Sequence, residues 1–103
     1  MYYSSIEASG QGTSEWVRLD SGNNSRKNSS YTLGVIVEGT LKVDVEFCID
    51  PNLDTPAVYC HPILNNTSSS SASDLGFPVS AFRLNIKEHT SGTAKLEVLQ
   101  SNL

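Results

Sequence analysis

Little in this sequence is of the kind that carries chemistry. Two cysteines among 103 residues are too few for a disulfide framework, and their spacing matches no compact C-x-x-C or H-x-x-x-H zinc pattern. Lys and Arg number seven against eleven Asp and Glu. The resulting net charge of −4, with no basic stripe, excludes a nucleic-acid backbone as partner. No apolar run approaches the ~20 residues needed to span a bilayer, so no membrane partner is expected. The opening Met1-Tyr2-Tyr3-Ser4-Ser5 has neither the basic nor the apolar stretch of a signal peptide, and the expectation is a protein used without Sec export. Nucleophile-elbow, H-E-x-x-H and phosphate-loop patterns are also missing, which argues against an enzyme and against any cofactor.

Helical periodicity is missing too. Apolar residues reach 38% and charged residues 17%, both low for a globular domain, and Ser, Thr and Asn take up the difference. That balance suits short strands and polar loops rather than a helical bundle. The clearest signal is alternation. Phe82, Leu84 and Ile86 alternate with Arg83, Asn85 and Lys87; Ala94, Leu96 and Val98 alternate with Lys95 and Glu97. With His89-Thr90-Ser91-Gly92-Thr93 between them, this stretch reads as a β-hairpin closed by a turn and bulge at Gly92.

A second pair looks just as regular. Tyr31, Leu33, Val35 and Val37 share one parity, with Ile36 apolar on the other, so part of that strand is expected to be covered on both faces. Leu41, Val43, Val45, Phe47 and Ile49 alternate with Lys42, Asp44, Glu46 and Cys48, and Glu38-Gly39-Thr40-Leu41 between the two suits a two-residue hairpin turn. Weaker strands are read at Tyr2–Ile6, at Glu15–Asp20 and over Ala57–Leu64, where Pro62 forces an edge or a bend. The stretches 21–30 and 65–73 are polar loops. The expected fold is all-β, a small antiparallel β-sandwich of six or seven strands with Greek-key or jelly-roll-like connections. Residues 1–14 form an N-terminal strand or arm with a Gly/Ser-rich connector, and residues 15–103 one sandwich domain.

Few residues are candidates for a site. Cys48 and Cys60 flank an Asp/Pro loop and could face each other across a ribbon; free thiols are expected, and a disulfide is the alternative. A zinc site built from them with His61 and Asp50 or His89 lacks a convincing ligand set, and His61 and His89 read as loop-edge and turn residues. Asp50 and Asp54 share a loop without a calcium-binding pattern. Asn23, Asn28, Asn65 and Asn66 each begin an N-x-S/T triplet, as chance alone produces in a chain this rich in Asn, Ser and Thr. Tyr2, Tyr3, Ile6, Trp16 and Tyr59 are the candidate interface residues, being apolar or aromatic at edges and in short segments.

The run Phe77-Pro78-Val79-Ser80-Ala81-Phe82-Arg83-Leu84-Asn85-Ile86, then Thr90-Ser91-Gly92-Thr93 and the ending Val98-Leu99-Gln100, resembles small virion proteins of tailed bacteriophages. The Val17-Arg18-Leu19-Asp20-Ser21 segment, the strand from Tyr31 to Gly39 and the Asp50-Pro51 turn fit as well, so the resemblance covers most of the chain after residue 12. Val58-Tyr59-Cys60 departs from it, standing where such proteins often carry a Trp. The resemblance implies a head decoration (cement) protein on the virion surface, with the major capsid protein as partner. It implies a homo-oligomer, a trimer being one form. The pattern supplies no catalytic residue. A head–tail or tail component, or a virion-exposed carbohydrate-binding domain, are the rival expectations.

Overall fold

In the computed structural model, residues 2–18, 30–50, 52–54, 56–76 and 79–101 are described. The strands among them are β1 (Tyr2–Ala8), β2 (Gly12–Thr13), β3 (Val17–Arg18), β4 (Ser30–Glu38), β5 (Leu41–Cys48), β6 (Tyr59–Cys60), β7 (Ser71–Leu75), β8 (Ala81–His89) and β9 (Thr93–Ser101). They form two antiparallel sheets, one in the order β1-β9-β4-β7 and one in the order β2-β8-β5-β6 with β3 also on β8. The fold is thus a small all-β sandwich. Six of these strands are five residues or longer and make the framework, while β2, β3 and β6 are two-residue ladders that cover edges.

The alternating positions do what their parity demands. Tyr31, Leu33 and Val35 of β4 and Ala94, Leu96 and Val98 of β9 face Leu41, Val43, Val45 and Phe47 of β5 and Phe82, Leu84 and Ile86 of β8, all buried in one core. Removing such side chains from water drives the two sheets together, each contributing roughly 1.5–3 kcal/mol before ordering costs. Tyr31 and Phe82 meet edge to face at 5.4 Å, and Phe47 meets Phe82 at 6.2 Å. The buried Tyr31 hydroxyl is satisfied by the backbone of Val79, accepting from its N–H at 3.2 Å.

Neither expected hairpin is a hairpin. β8 pairs with β5 and not with β9, and β4 pairs with β9 and not with β5. Both turns are arches that carry the chain from one sheet to the other. In a hairpin two strands lie side by side with their apolar faces pointing the same way. In an arch the second strand lies opposite the first with its apolar face turned back towards it, and the sequence alternation is identical. The two arches cross at one end of the sandwich, where Thr40 N–H donates to Ser91 O at 3.0 Å and Thr90 N–H to Thr40 O at 2.9 Å. Gly39 and Gly92, both at positive φ, meet there backbone to backbone.

Other expectations are corrected locally. Ile36 is exposed at 37%, so only the inner face of β4 is covered there. Ser71–Ser73, read as part of a polar loop, begin β7, because a ladder with β4 from Tyr31↔Leu75 to Val35↔Ser71 overrides weak β-propensity. Cys48, on the polar parity of β5, is fully buried. Residues 19–29, which hold Asn23, Asn28 and the end of the expected Glu15–Asp20 strand, lie outside the described residues.

Candidate docking surfaces

The chain brings the candidate interface residues to two opposite flanks of the sandwich. β1 packs across to β3 and β8, so β1, β2 and β3 share one flank. Tyr3 and Ile6 lie on β1 and Trp16 just before β3, so these three share that flank. β6 and β7 end their sheets on the other side, and Tyr59 lies there. Tyr2 sits at the start of β1, its side chain outside the described residues.

On the first flank, Tyr3 is 54% exposed and its hydroxyl donates to Glu97 Oε2 at 2.8 Å. Leu99 stands opposite Tyr3 on β9 and is also exposed. Behind them the outer face of the four-stranded sheet dips into a groove of about 320 Å³ over Gly34, rimmed by Tyr3, Thr32, Ala72, Glu97 and Leu99. A Cβ on Gly34 would meet nothing closer than Glu97 Oε1 at 3.5 Å, so the chain's own packing does not require glycine there. Ile6 points inward and packs half-buried against the core. Trp16 is half-buried because the Arg83 guanidinium lies over its ring, 4.4 Å from the centroid.

Arg83 is held from the other side as well. Its Nε donates to Glu46 Oε1 at 2.8 Å, and Asn85 Nδ2 donates to Glu46 Oε2 at 3.0 Å. Further along the same outer face Lys87 Nζ lies 3.6 Å from Asp44, whose other oxygen accepts from Asn66 N–H at 2.7 Å. The outer face of the five-stranded sheet is therefore knitted by charge and hydrogen bonds. Complementary residues on β5 (Asp44, Glu46) and β8 (Arg83, Asn85, Lys87) carried that signal in the sequence, where they read only as the polar side of the alternation.

On the second flank, Tyr59 stacks on Phe47 with centroids 5.6 Å apart and stays 48% exposed. Ile49, Val58 and Ile63 are exposed around it. The flank is closed by His61, which sequence reasoning placed at a loop edge but which is buried. Its Nδ1 accepts from the N–H groups of Ile63 and Leu64, each at 3.0 Å. That assigns the ring proton to Nε2, which donates to Asp74 O on β7 at 3.1 Å. One imidazole thus ties the segment along β5 to the facing sheet. The following Pro62 hid this role, since Pro argues for a loop without showing how the loop is anchored.

No reactive cluster assembles from the remaining candidates. Cys48 and Cys60 are free thiols, the first buried and the second exposed. Cys60 stands opposite Glu46, two positions short of Cys48 along β5, a diagonal relation. Burial pushes the Cys48 thiol up, reinforced by Asp50, while partial desolvation beside Asp44 and Glu46 raises that of the exposed Cys60. His89 lies at the crossed arches, its Nε2 2.9 Å from Gly92 O, far along the fold from His61. Asp50 and Asn52 cap successive N–H groups of their own loop. Asn65 and Asn66 are exposed. Among the described residues no group of three or more His, Cys, Asp or Glu could hold a metal ion, and no helix is long and apolar enough to cross a membrane.

No protein-family model matches the chain, and no curated protein matches it. Among solved structures, a chain described under "Bacillus endospore appendages form a novel family of disulfide-linked pili" is similar to it. The TM-score is 0.52 at 13% identity, over 99% of this chain and 86% of that one. At that identity the likeness is one of fold.

Proposed function

We propose that the protein is a structural component of a bacteriophage virion, a head decoration protein that stabilises the shell by bridging neighbouring major capsid protein subunits. The observation that carries this reading is that the exposed large apolar side chains, apart from Ile36 on the interior strand β4, fall into two groups on opposite sides of the sandwich, Tyr3 with Leu99 on one and Ile49, Val58, Tyr59 and Ile63 on the other. A bridging protein needs two contact surfaces that face different neighbours, held rigidly apart. Here a core of interleaved sheets fixes their separation, and the charge network on one outer face stiffens it. Each contact is small, and repetition over a symmetric shell turns weak contacts into avidity.

A filament joined by disulfides is the second reading, because the similar solved chain comes from disulfide-linked pili and Cys60 is exposed. The thiol count disfavours it. A covalent fibre needs two links per subunit, and of the two cysteines Cys48 is sealed in the fold. The exposed tyrosines Tyr3 and Tyr59 sit on opposite flanks and Tyr31 is buried, which disfavours a shared aromatic platform for sugar.

The test is the copy number of this chain in purified particles, measured by quantitative mass spectrometry against the major capsid protein. Hundreds of copies in a simple ratio to capsid protein are expected. On the order of a dozen would move the protein to the head–tail junction or tail, and absence from particles would overturn the reading.

A further inference from the structure

Strand edges are where a β-protein is most readily joined to another chain, and folds usually cover them. The outer edge of β8 is taken by β2, by Ser14, whose N–H donates to Leu84 O at 2.8 Å, and by β3. The outer edge of β5 is taken by β6 and then by His61, Leu64 and Thr67, which exchange backbone hydrogen bonds with Val45 and Val43. β7 is five residues long, and its Asp74 carbonyl is occupied by His61.

β1 is different. It runs for seven residues in unbroken register with β9, from Tyr2↔Gln100 to Ala8↔Ala94, without a bulge. It has no proline and no lysine, and Glu7 is its one charge. Among the described residues no strand pairs with its far side. Apart from Glu7, the devices that usually blunt an edge (proline, lysine, a bulge or a covering strand) are missing from this one among the described residues.

We propose that β1 pairs with β1 of a second copy, antiparallel about a two-fold axis through Ser5, so that the two four-stranded sheets become one continuous sheet. Two observations select a second copy as the occupant. The first is that this is the one long open edge among the described residues, and pairing it with its own mate closes both copies at once. The second is that self-pairing in this register matches the faces and sets no charge against its like. With Ser5 opposite Ser5, Tyr2 faces Ala8, Tyr3 faces Glu7 and Ser4 faces Ile6, so inner and outer faces match. No like charges oppose each other. The two Glu7 side chains stand four residues apart along the strands, about 13 Å. Each Glu7 also has Lys95 of its own β9 across from it. A seven-residue ladder buries less than a standard interface, so the dimer is a weak one.

The inference does not depend on the virion reading, and the experiment separates them. Light scattering on the full chain over about a hundredfold concentration range should show mass rising from 11.1 kDa towards twice that value. Ser5 is exposed, so Ser5→Lys should fold normally by circular dichroism. It should raise the dissociation constant at least about tenfold by setting two ammonium groups face to face. In a Cys60→Ser background, Ser5→Cys should cross-link when oxidised glutathione is supplied, the two thiols giving their electrons and protons to its disulfide. Glu7→Cys should not. A monomer at every concentration overturns the inference, as does a dimer indifferent to Ser5→Lys, or protection of β1 amides only against capsid protein. A dimer in a chain that never enters particles would overturn the virion reading and leave this one standing.

Discussion

The crossed arches make the sharpest prediction. An ideal Cβ on Gly92 would lie 1.7 Å from the Glu38 carbonyl oxygen and 2.7 Å from Gly39 Cα. An ordinary C···O contact is about 3.3 Å, so Gly92→Ala must push the two arches apart by roughly 1.6 Å. Three backbone hydrogen bonds span that crossing, from Thr40 N–H to Ser91 O at 3.0 Å and from Thr90 and Ser91 N–H to Thr40 O at 2.9 and 3.1 Å. A displacement of that size takes all three out of range. At about 1 kcal/mol each they cost about 3 kcal/mol, and a φ of +91° adds about 1 kcal/mol for an L-residue. The expected loss is about 4 kcal/mol, a large part of the ~5–15 kcal/mol typical of a domain.

The assay is equilibrium urea unfolding followed by fluorescence of Trp16, the only tryptophan. Gly10→Ala is the control, because Gly10 has a φ of +100° but nothing within 4 Å of a Cβ; it should lose only about 1 kcal/mol. Gly39→Ala should fall between, its Cβ lying 2.5 Å from Ser91 O. Equal losses at Gly92 and Gly10 would refute the close approach, leaving only backbone preference at both sites.

Other expectations are independent of the arches. His61→Ala strands two backbone N–H groups and should cost about 2–4 kcal/mol, with amide exchange at Ile63 and Leu64 rising first. Arg83→Ala should cost about 1–2 kcal/mol and red-shift Trp16 emission, because it removes both the guanidinium over the ring and the pair with Glu46. Lys42→Ala should change stability by less than about 0.5 kcal/mol, since the Lys42–Glu88 pair is 3.9 Å apart and open to solvent. Burial raises Tyr31 and Cys48 above their ordinary values of 10.0 and 9.0. The unfolded chain then loses those protons first, so their stabilising contribution is complete below about pH 9 and declines as pH rises beyond it. A urea midpoint that holds steady between neutral pH and about pH 10.5 would contradict that sign.

The strands themselves were legible because their alternation reports a buried face directly. Leu41 to Phe47 and Phe82 to Ile86 lie where the pattern puts them, buried on one side. Pairing was not legible. The turn at Gly39 satisfies the local rules of a hairpin, and Gly92 closes a turn of hairpin length. What decides between hairpin and arch is whether β4 finds β5 or β9 beside it, a non-local question that parity does not answer. The residue that marks the answer is glycine. A two-residue hairpin uses Gly39 for its φ alone, whereas the arch uses it because Ser91 O would sit 2.5 Å from a Cβ. Glycine in two distant turns was the visible trace of their crossing, readable only with the second turn in hand.

The surfaces divide along the same line between local pattern and long-range partnership. Tyr3 and Tyr59 were readable as exposed because each lies in a short, weakly apolar segment near polar residues. Their assignment to opposite flanks depends on which sheet edge each strand joins, so no sequence window contains it. Trp16, read as an interface candidate, is half-buried, because Arg83, sixty-odd residues on, covers one face of its ring. His61 was missed for the same reason: its partners Ile63 and Leu64 are local, but the bond that matters to the architecture reaches Asp74 on the other sheet. β1 is the converse case. Its lack of proline, lysine and bulge is written in seven consecutive residues, and only the topology turns that lack into an open edge. An edge so placed must be either a liability or a junction. Among the described residues the edges of β5 and β8 are each covered by a dedicated segment, and against them the junction is the consistent reading for β1.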